Sequence, residues 1–433
     1  MKLNILSLTF ILCGLINAQS YSLEECISIA LKNKESLKAS VLNLESARLG
    51  TKGSLSGILP SVNFSGGWSQ SEYQLLNPAT GKLLPRVTNI TWDTGISISQ
   101  TIYDGGIWWN NINSAKNDYR IAAQFQRQVL TNIINNVHSS FFNYLKSQQL
   151  LEVAQLSRKS SARQMELVKR QYELGAVNKT DLLKAEVSLG QAEIDVISQE
   201  SELKNSFREL KNSMGLMGSE VDFEVADSGK PLELVPDYIL ALETMDNQNP
   251  SLKAKRYQVL GAQLNHKLIK GQRLPSLRAN YSYGASADSL GGLTDNWKDN
   301  TRSRTGLTLS LPLFTGNSLS TKTQQARLTI SKQNAEYLNQ RKDLMVTLNA
   351  LLELLHNYSQ IIPINEKVLT SAEEDLKLAQ ERYSLGAATI LEVLDAQVSV
   401  IRAKSALITT KYDARIQQAG LKALMGLLDS DLQ

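Results

Sequence analysis

A phrase written twice constrains this chain more than any other feature. "YELGAVNKTDLLKA" occupies 172–185 and "YSLGAATILEVLDA" occupies 383–396, an offset of 211 residues. Other anchors keep that offset: Thr94-Gly95 with Thr305-Gly306, Gly105 with Gly316, Val187-Ser188 with Val398-Ser399, and Met214-Gly215-Leu216 with Met425-Gly426-Leu427. Nearer the start, "SLKA" at 36–39 and 251–254 and "LPS" at 59–61 and 274–276 match at 215. The four-residue change falls in loop-like sequence before Thr94. Ungapped agreement over so long a span marks a tandem duplication of one structural unit, and such a repeat sets the architecture before any single element is assigned. We assign the two copies to 19–216 and 236–433, with a linker or equatorial segment at 217–235.

Within each copy the hydrophobic period changes. A helix is expected from Leu23 and another from about Lys34 to Leu55. Val62, Phe64, Gly66 and Trp68 then alternate with Ser61, Asn63, Ser65 and Ser69, the period of two that marks a strand. After the turn-rich "NPATGKLLPRVTN", Ile96, Ile98 and Ile102 alternate with Ser97, Ser99 and Thr101. The second copy repeats both patterns in Leu277, Ala279, Tyr281 and Tyr283 and in Leu307, Leu309, Leu311 and Leu313. The strands are placed at about 61–73, 92–103, 276–286 and 304–314. The parity agrees between copies, so equivalent faces are apolar.

Beyond Gly105-Gly106 and Gly316 no helix-breaking glycine appears until Gly175 and Gly386. Residues 105–172 predict a helix of about 100 Å at 1.5 Å per residue. Leu130, Ile133, Val137, Phe141 and Tyr144 form one stripe, with Ile134, Phe142 and Leu145 beside it. Two adjacent stripes suit a helix held between two neighbours, as in a ring. The repeated phrase is then the tip of a helical hairpin, at 172–181 and again at 383–392, with Asp181 to Leu210 returning antiparallel. Pro363, opposite Glu152 in the other copy, predicts a local kink in the second long helix.

The opening "MKLNILSLTFILCGLINAQS" reads as a secretory signal peptide over 1–18: Lys2, the apolar run Ile5 to Ile16, and Ile16-Asn17-Ala18 before Gln19. About 12 apolar residues are too few to span a bilayer. Cys13 lies within that run with Leu12 before it, where lipoprotein processing needs a small residue. Cys26 is then the only cysteine left, a packing residue in no disulfide. No other stretch approaches 18 continuous apolar residues, so a spanning helix is not expected. The 46 basic and 42 acidic residues nearly balance, which removes the argument for a nucleic-acid partner. His138, His266 and His356 are scattered and without cysteine neighbours, and no nucleophile elbow, phosphate loop or dinucleotide fingerprint is present; neither enzymatic activity nor a metal or cofactor site is expected.

Four strands cannot close a barrel, yet each has about ten residues with one apolar and one polar face, as outer-membrane strands do. All five tryptophans, Trp68, Trp92, Trp108, Trp109 and Trp297, are placed in or beside the expected strand hairpins and none within the long helices. Indole rings gather at membrane–water interfaces, and ordinary strand packing is the competing account. A homotrimer pooling twelve strands, with its long helices forming a second hollow cylinder, resolves the open edges economically.

The duplicated helix–strand–strand–helix unit, the "LPLF.G" junction at Leu311–Gly316 and "RYSLGAATILEVLDAQ" at 382–397 resemble the TolC-like outer membrane efflux channels over nearly the whole mature chain. The resemblance implies a mainly α fold with a membrane β-barrel portion: a trimer with a 12-stranded β-barrel on a 12-helix α-barrel tunnel. It implies a chain in the outer membrane, extending into the periplasm of a Gram-negative bacterium. Its role would be the exit duct of a tripartite efflux or type I secretion system. The implied partners are two further copies, outer membrane lipid, a periplasmic adaptor and an inner-membrane pump, proton-driven or ATP-driven.

Glu392 and Asp395 are three apart on one helix just past the second tip and so share a face. Tripled about an axis, they would put six carboxylates at a constriction, favouring cations; a helix-start carboxylate favoured by the macrodipole accounts for Glu392 nearly as well. The resemblance implies acidic residues at both positions lining the periplasmic entrance, where Glu392 replaces the usual Asp. It also implies a closing tether between the hairpins, mapping onto Asp181 and Tyr383, whose phenol could donate to a carboxylate. Where the family's network has an arginine, this chain has Ala388, and Lys179 beside Asp181 is the candidate substitute. The small, apolar tip surfaces, Leu174-Gly175-Ala176 and Leu385-Gly386-Ala387, are the expected adaptor contacts, although glycine also serves simply to allow a φ > 0 bend. Two rival readings are an exported coiled-coil scaffold or adhesin without a pore, which leaves the strand parity unexplained, and a self-sufficient barrel, which four strands exclude.

Overall fold

The computed structural model describes residues 20–218, 223–227, 229, 231–295 and 297–429. The expected signal peptide, with Cys13 and the cleavage site, lies outside the described residues. The chain forms two compact units, one of residues 1–38, 127–249 and 343–433, the other of 39–126 and 250–342.

The second of these units holds a four-stranded antiparallel sheet of β2 (Ser61–Tyr73), β3 (Val87–Tyr103), β5 (Ser276–Ala287) and β6 (Thr301–Ser310), in the order β2-β3-β5-β6. The two hairpins therefore join through β3 and β5 into one sheet, with β2 and β6 as edges. Register fixes the faces. Phe64 lies opposite Ile96 and Ile96 opposite Tyr283; Val62 lies opposite Ile98 and Ile98 opposite Tyr281; Leu307 and Leu309 face Ala279 and Leu277. Directly opposed residues share a side, so one face is apolar. Much of it is open, Phe64 at 76% and Leu309 at 71% of full exposure.

Two strand boundaries differ from those expected. β3 starts at Val87 rather than 92, because Val87, Asn89 and Thr91 continue pairing with β2 through residues that read as turn formers. β6 covers Thr301–Ser310 rather than 304–314: Pro312 has no N–H to give a ladder, and Leu311 and Leu313 lie beyond the strand. The connection from β5 to β6 contains two short helices, α7 (Leu290–Asp295) and α8 (Trp297–Asn300), not a plain loop.

Helical elements in the same unit include most of α2 (Glu35–Gly53), a 3₁₀ turn (Ser54–Ile58) and α6 (Pro250–Gly271). The first turns of two 67-residue helices, α3 (Ile107–Glu173) and α9 (Ser318–Ser384), also belong to it. Gly105, at φ +74°, shows why the strand-to-helix turn needs glycine: an added Cβ would meet the Gly271 carbonyl oxygen at 2.4 Å. Asp104 Oδ2 then accepts the Trp108 N–H at 2.8 Å, and α3 begins at Ile107. The helix runs on through Pro363 in α9 without interruption, so the expected disturbance there does not divide the helix.

The other unit is built on α1 (Leu23–Asn33), α4 (Lys179–Ser213), α5 (Tyr238–Gln248), α10 (Ile390–Met425) and the remaining turns of α3 and α9. α1 starts with a reciprocal capping box, Ser22 with Glu25. Its core joins Cys26 and Ala30 to Ile133, Ile134, Val137, Phe141, Phe142 and Leu145 of α3, to Leu210 of α4 and Met214 just after it, and to Ile408 and Tyr412 of α10. Both apolar stripes read from the α3 sequence meet this core. A two-residue parallel pairing, β1 (Ser20–Tyr21) with β4 (Glu224–Val225), places part of the 217–235 segment beside the start of α1. Arg127 clamps the last described turn by bonding both oxygens of the buried Asp429 and the carbonyls of Gly426 and Gln248.

Candidate functional site

The two hairpin tips are built alike because the same local chemistry is written at both. The long helix ends at Glu173 and Ser384. Gly175 and Gly386 follow at φ +74° and +73°. Ala176 N–H reaches back to the Gln171 carbonyl and Gly175 N–H to Tyr172, at 2.8 and 2.9 Å; Ala387 and Gly386 do the same to Arg382 and Tyr383, at 2.8 and 3.0 Å. This pair of bonds around a left-handed glycine stops a helix by satisfying its last carbonyls. Three residues later a cap starts the return helix: Asn178 Oδ1 accepts from Asp181 N–H, and Thr389 Oγ1 accepts from Glu392 N–H. Asp181 and Glu392 thus occupy the same third position of equivalent helices, and both are favoured there by the backbone dipoles. Leu174 and Leu385 stand 85% and 82% exposed at the apices.

The tether residues lie close together but pair differently from expectation. Tyr383 O–H donates to Gln171 Oε1 at 2.6 Å, not to Asp181. Burial, and then the charge of Asp181, raises the Tyr383 pKa above that of an ordinary phenol, so Asp181 is a neighbour rather than the acceptor. Lys179 makes no ion pair with any described residue and does not fill the gap left at Ala388. Arg382 pairs within its own hairpin: its guanidinium lies 3.5 Å from Glu392 and donates to the Ala387 carbonyl at 3.1 Å. Gln171 and Arg382 were missed from the sequence, though the 211-residue offset places one directly over the other. Val168, Ala185, Ile390 and Leu394 pack beneath, with Tyr383 against them.

Glu392, one of the acids expected at the mouth, is engaged within its own hairpin. Its carboxylate accepts the Thr389 N–H at 3.0 Å and Thr389 Oγ1 at 3.2 Å, so it closes its own capping box. The Thr389 backbone bond, then the Thr389 hydroxyl and Arg382, hold its pKa below the ordinary glutamate value. It is therefore ionised but engaged. Asp395 is exposed and lines a groove of about 510 Å³ between α4 and α10, together with Lys184, Ser188, Asp195 and Gln397. Gln397 is buried and donates to Ser161 Oγ of α3 at 3.1 Å, fixing this wall.

The aromatic residues divide. Trp68 and Trp92 are opposed in register on the apolar face of the sheet, edge to face at 6.4 Å between centroids. Trp297 lies on α8 and meets Tyr283 of the same face at 6.3 Å. Trp108 and Trp109, 4.5 Å apart, are in the first turn of α3, so the expectation that no tryptophan lies in a long helix is wrong for these two. The cause is the Asp104 cap, which draws them into helix directly after Gly106.

Among the described residues no helix is long and apolar enough to cross a membrane, and no cluster of His, Cys, Asp and Glu could hold a metal ion. The sequence model of the family "Outer membrane efflux protein" matches residues 26–216 and 241–427. The outer membrane protein TolC of Vibrio cholerae is 25% identical over 416 residues, covering 94% of this chain and 91% of that protein. Among solved structures, CusC aligns with a TM-score of 0.83 at 19% identity, covering 93% of this chain and 92% of that one. The Campylobacter jejuni CmeC outer membrane channel aligns at 0.82 and 17% identity, covering 93% and 85%.

Proposed function

The chain belongs to the outer membrane efflux protein family, a family of outer membrane channels serving efflux or secretion systems, and from that premise we propose that it works as a homotrimeric exit duct. Three copies pool their sheets into one 12-stranded barrel and their long helices into a 12-helix tunnel. The hairpin tips dock a periplasmic adaptor, through which an inner-membrane pump delivers cargo. Residues 1–18 direct export as a signal peptide, and the mature copies divide at 19–216 and 236–433.

One observation carries this reading: a four-stranded sheet with an exposed apolar face and two unpaired edges, β2 and β6. Edge N–H and C=O groups cannot remain unpaired in hydrocarbon. Pairing β6 of one copy with β2 of the next closes the sheet without new strands. A pore-free scaffold has no use for such a face.

The mouth is assigned to Asp395, Glu392 and Asp181, with Tyr383 holding the hairpins together through Gln171 and with Lys179 at the rim. Leu174, Gly175, Ala176, Leu385, Gly386 and Ala387 are the adaptor contacts. Trp68, Trp92 and Trp297 sit at the membrane interface, and Trp108 and Trp109 at the strand-to-helix junction. Single-channel conductance of the mature protein in a planar bilayer tests the mouth. We expect a small wild-type conductance that rises, or loses cation preference, in Glu392→Ala/Asp395→Ala. Unchanged currents would remove these acids from the gate; no conductance from an inserted trimer would promote the scaffold.

A further inference from the structure

The polar face of the sheet carries three arginines against a single acid. Cross-strand register puts Ser65, Gly95, Gly284 and Arg302 in one row, and Asn63, Ser97, Ser282 and Arg304 in the next. Further along the same side, Thr101, Arg278 and Thr308 form a third row. Every other strand residue on this side near the arginines is Ser, Thr, Asn or Gly. The arginines are exposed, and none has a hydrogen bond or ion pair to any described residue. The neighbour opposite Arg302 is a glycine and that opposite Arg304 a serine, so nothing tall stands beside either guanidinium.

The one acid of the strands on this face is Asp93, in the row of Gly67 and Ser286. It leans away from the arginines. A Cβ placed on Gly67 of β2 would meet Asp93 Oδ1 at 2.9 Å, which puts the carboxylate over the β2 side while Arg302 and Arg304 stand on β6. Two strands separate them, about 10 Å at 4.8 Å per strand, beyond ion-pair reach.

We propose that Arg278, Arg302 and Arg304 form an anion-attracting lining of the pore, so that the duct favours cargo bearing carboxylate, sulfate or phosphate groups. This rests on the channel reading above, in which the polar face lines the lumen. Three copies bring nine guanidiniums against three Asp93 carboxylates. Arg302 and Arg304 are about 7 Å apart along the strand, within the Debye length of about 8 Å at physiological salt, so their potentials add. Arginine stays charged at every working pH, and its planar fork matches oxyanions two bonds at a time. A narrow lumen with low-dielectric walls focuses such a field rather than dispersing it. The lining would thus oppose the cation preference expected of an acidic mouth, and cargo must satisfy both.

The test is a pair of bilayer measurements on the trimer, wild type against Arg278→Gln/Arg302→Gln/Arg304→Gln. Each is read as the reversal potential in a KCl gradient and as block by inositol hexakisphosphate added from the barrel side. We expect the chloride-to-potassium permeability ratio to fall at least twofold in the glutamine variant, and the blocking concentration to rise at least tenfold. The triple lysine variant, which keeps the charge, should retain the wild-type ratio. A conducting glutamine variant with unchanged ratio and unchanged block overturns the lining while leaving the channel in place. An inserted wild-type trimer that conducts nothing overturns the channel reading instead.

Discussion

His138 lies on α3 with its ring 6.2 Å from that of Phe142. Burial, and then the nearby Lys422, pushes its pKa down from 6.5 to about 4. The unfolded chain therefore takes up a proton below pH 6.5 that the folded chain refuses. Stability is full above that value and falls as the pH drops toward 4, by about 3 kcal/mol from this group. Denaturant midpoints should decline between pH 6.5 and 5, before carboxylates contribute, and His138→Gln should flatten that segment. Cys26 offers a second residue-level reading. Burial, reinforced by Glu25, pushes its thiol up to about 12, so it stays protonated and unreactive. Maleimide labelling at neutral pH should be negligible until denaturant opens the unit; rapid labelling of folded protein would contradict the packing described. At the tip, Tyr383→Phe removes the bond to Gln171 and should raise conductance, whereas Asp181→Asn should leave that bond intact. The family resemblance placed Tyr383 and Asp181 side by side but could not choose the acceptor, because spacing along a helix does not say which of several polar side chains from a second hairpin comes within hydrogen-bond distance.

At the scale of elements, caps and turns carry the architecture. Thr389→Ala removes the hydroxyl that accepts the Glu392 N–H and donates to the Glu392 carboxylate at the start of α10, leaving only the backbone half of the capping box, and should cost about 1 kcal/mol, seen as a lowered melting temperature. Asn178→Ala should cost a little less, because the Asn178 cap accepts only the single bond. The elements legible in the sequence were those with strong periodicity: the α3 stripe from Ile133 to Leu145 and the strand Ser61–Tyr73 emerge from alternation alone. Boundaries were less legible where local chemistry overrode pattern, as when Pro312 cut β6 short or the Asp104 cap pulled Trp108 and Trp109 into helix. The two helices α7 and α8 were hidden because neither is long enough to complete a repeat of the helical period. Their packing makes a prediction about surroundings. Lipids brominated along the acyl chain should quench Trp68 and Trp92 on the apolar sheet face, measured in variants retaining one tryptophan each. Equal quenching of Trp109 and Trp68 would argue against the assigned belt.

For the whole molecule the decisive quantity is copy number. The protein in detergent should have the mass of three chains by light scattering. A proline introduced in β6, at Leu309, should leave monomer unable to close the ring while the helical unit keeps its cooperative unfolding. Duplication was the feature that made the architecture readable from one chain, since two imperfect copies act as each other's alignment. What they did not disclose was the consequence of divergence between copies: Gln171 accepts from Tyr383, whereas Arg382 at the equivalent position pairs with Glu392. The open edges of β2 and β6 have one more consequence. If closure takes three chains, pore formation is a concentration problem before it is a folding problem. The number of ducts should then rise faster than the amount of chain exported, approaching its cube when free protomers are scarce. A modest change in expression would be amplified into a large change in outward traffic, with no alteration in any residue of the channel itself.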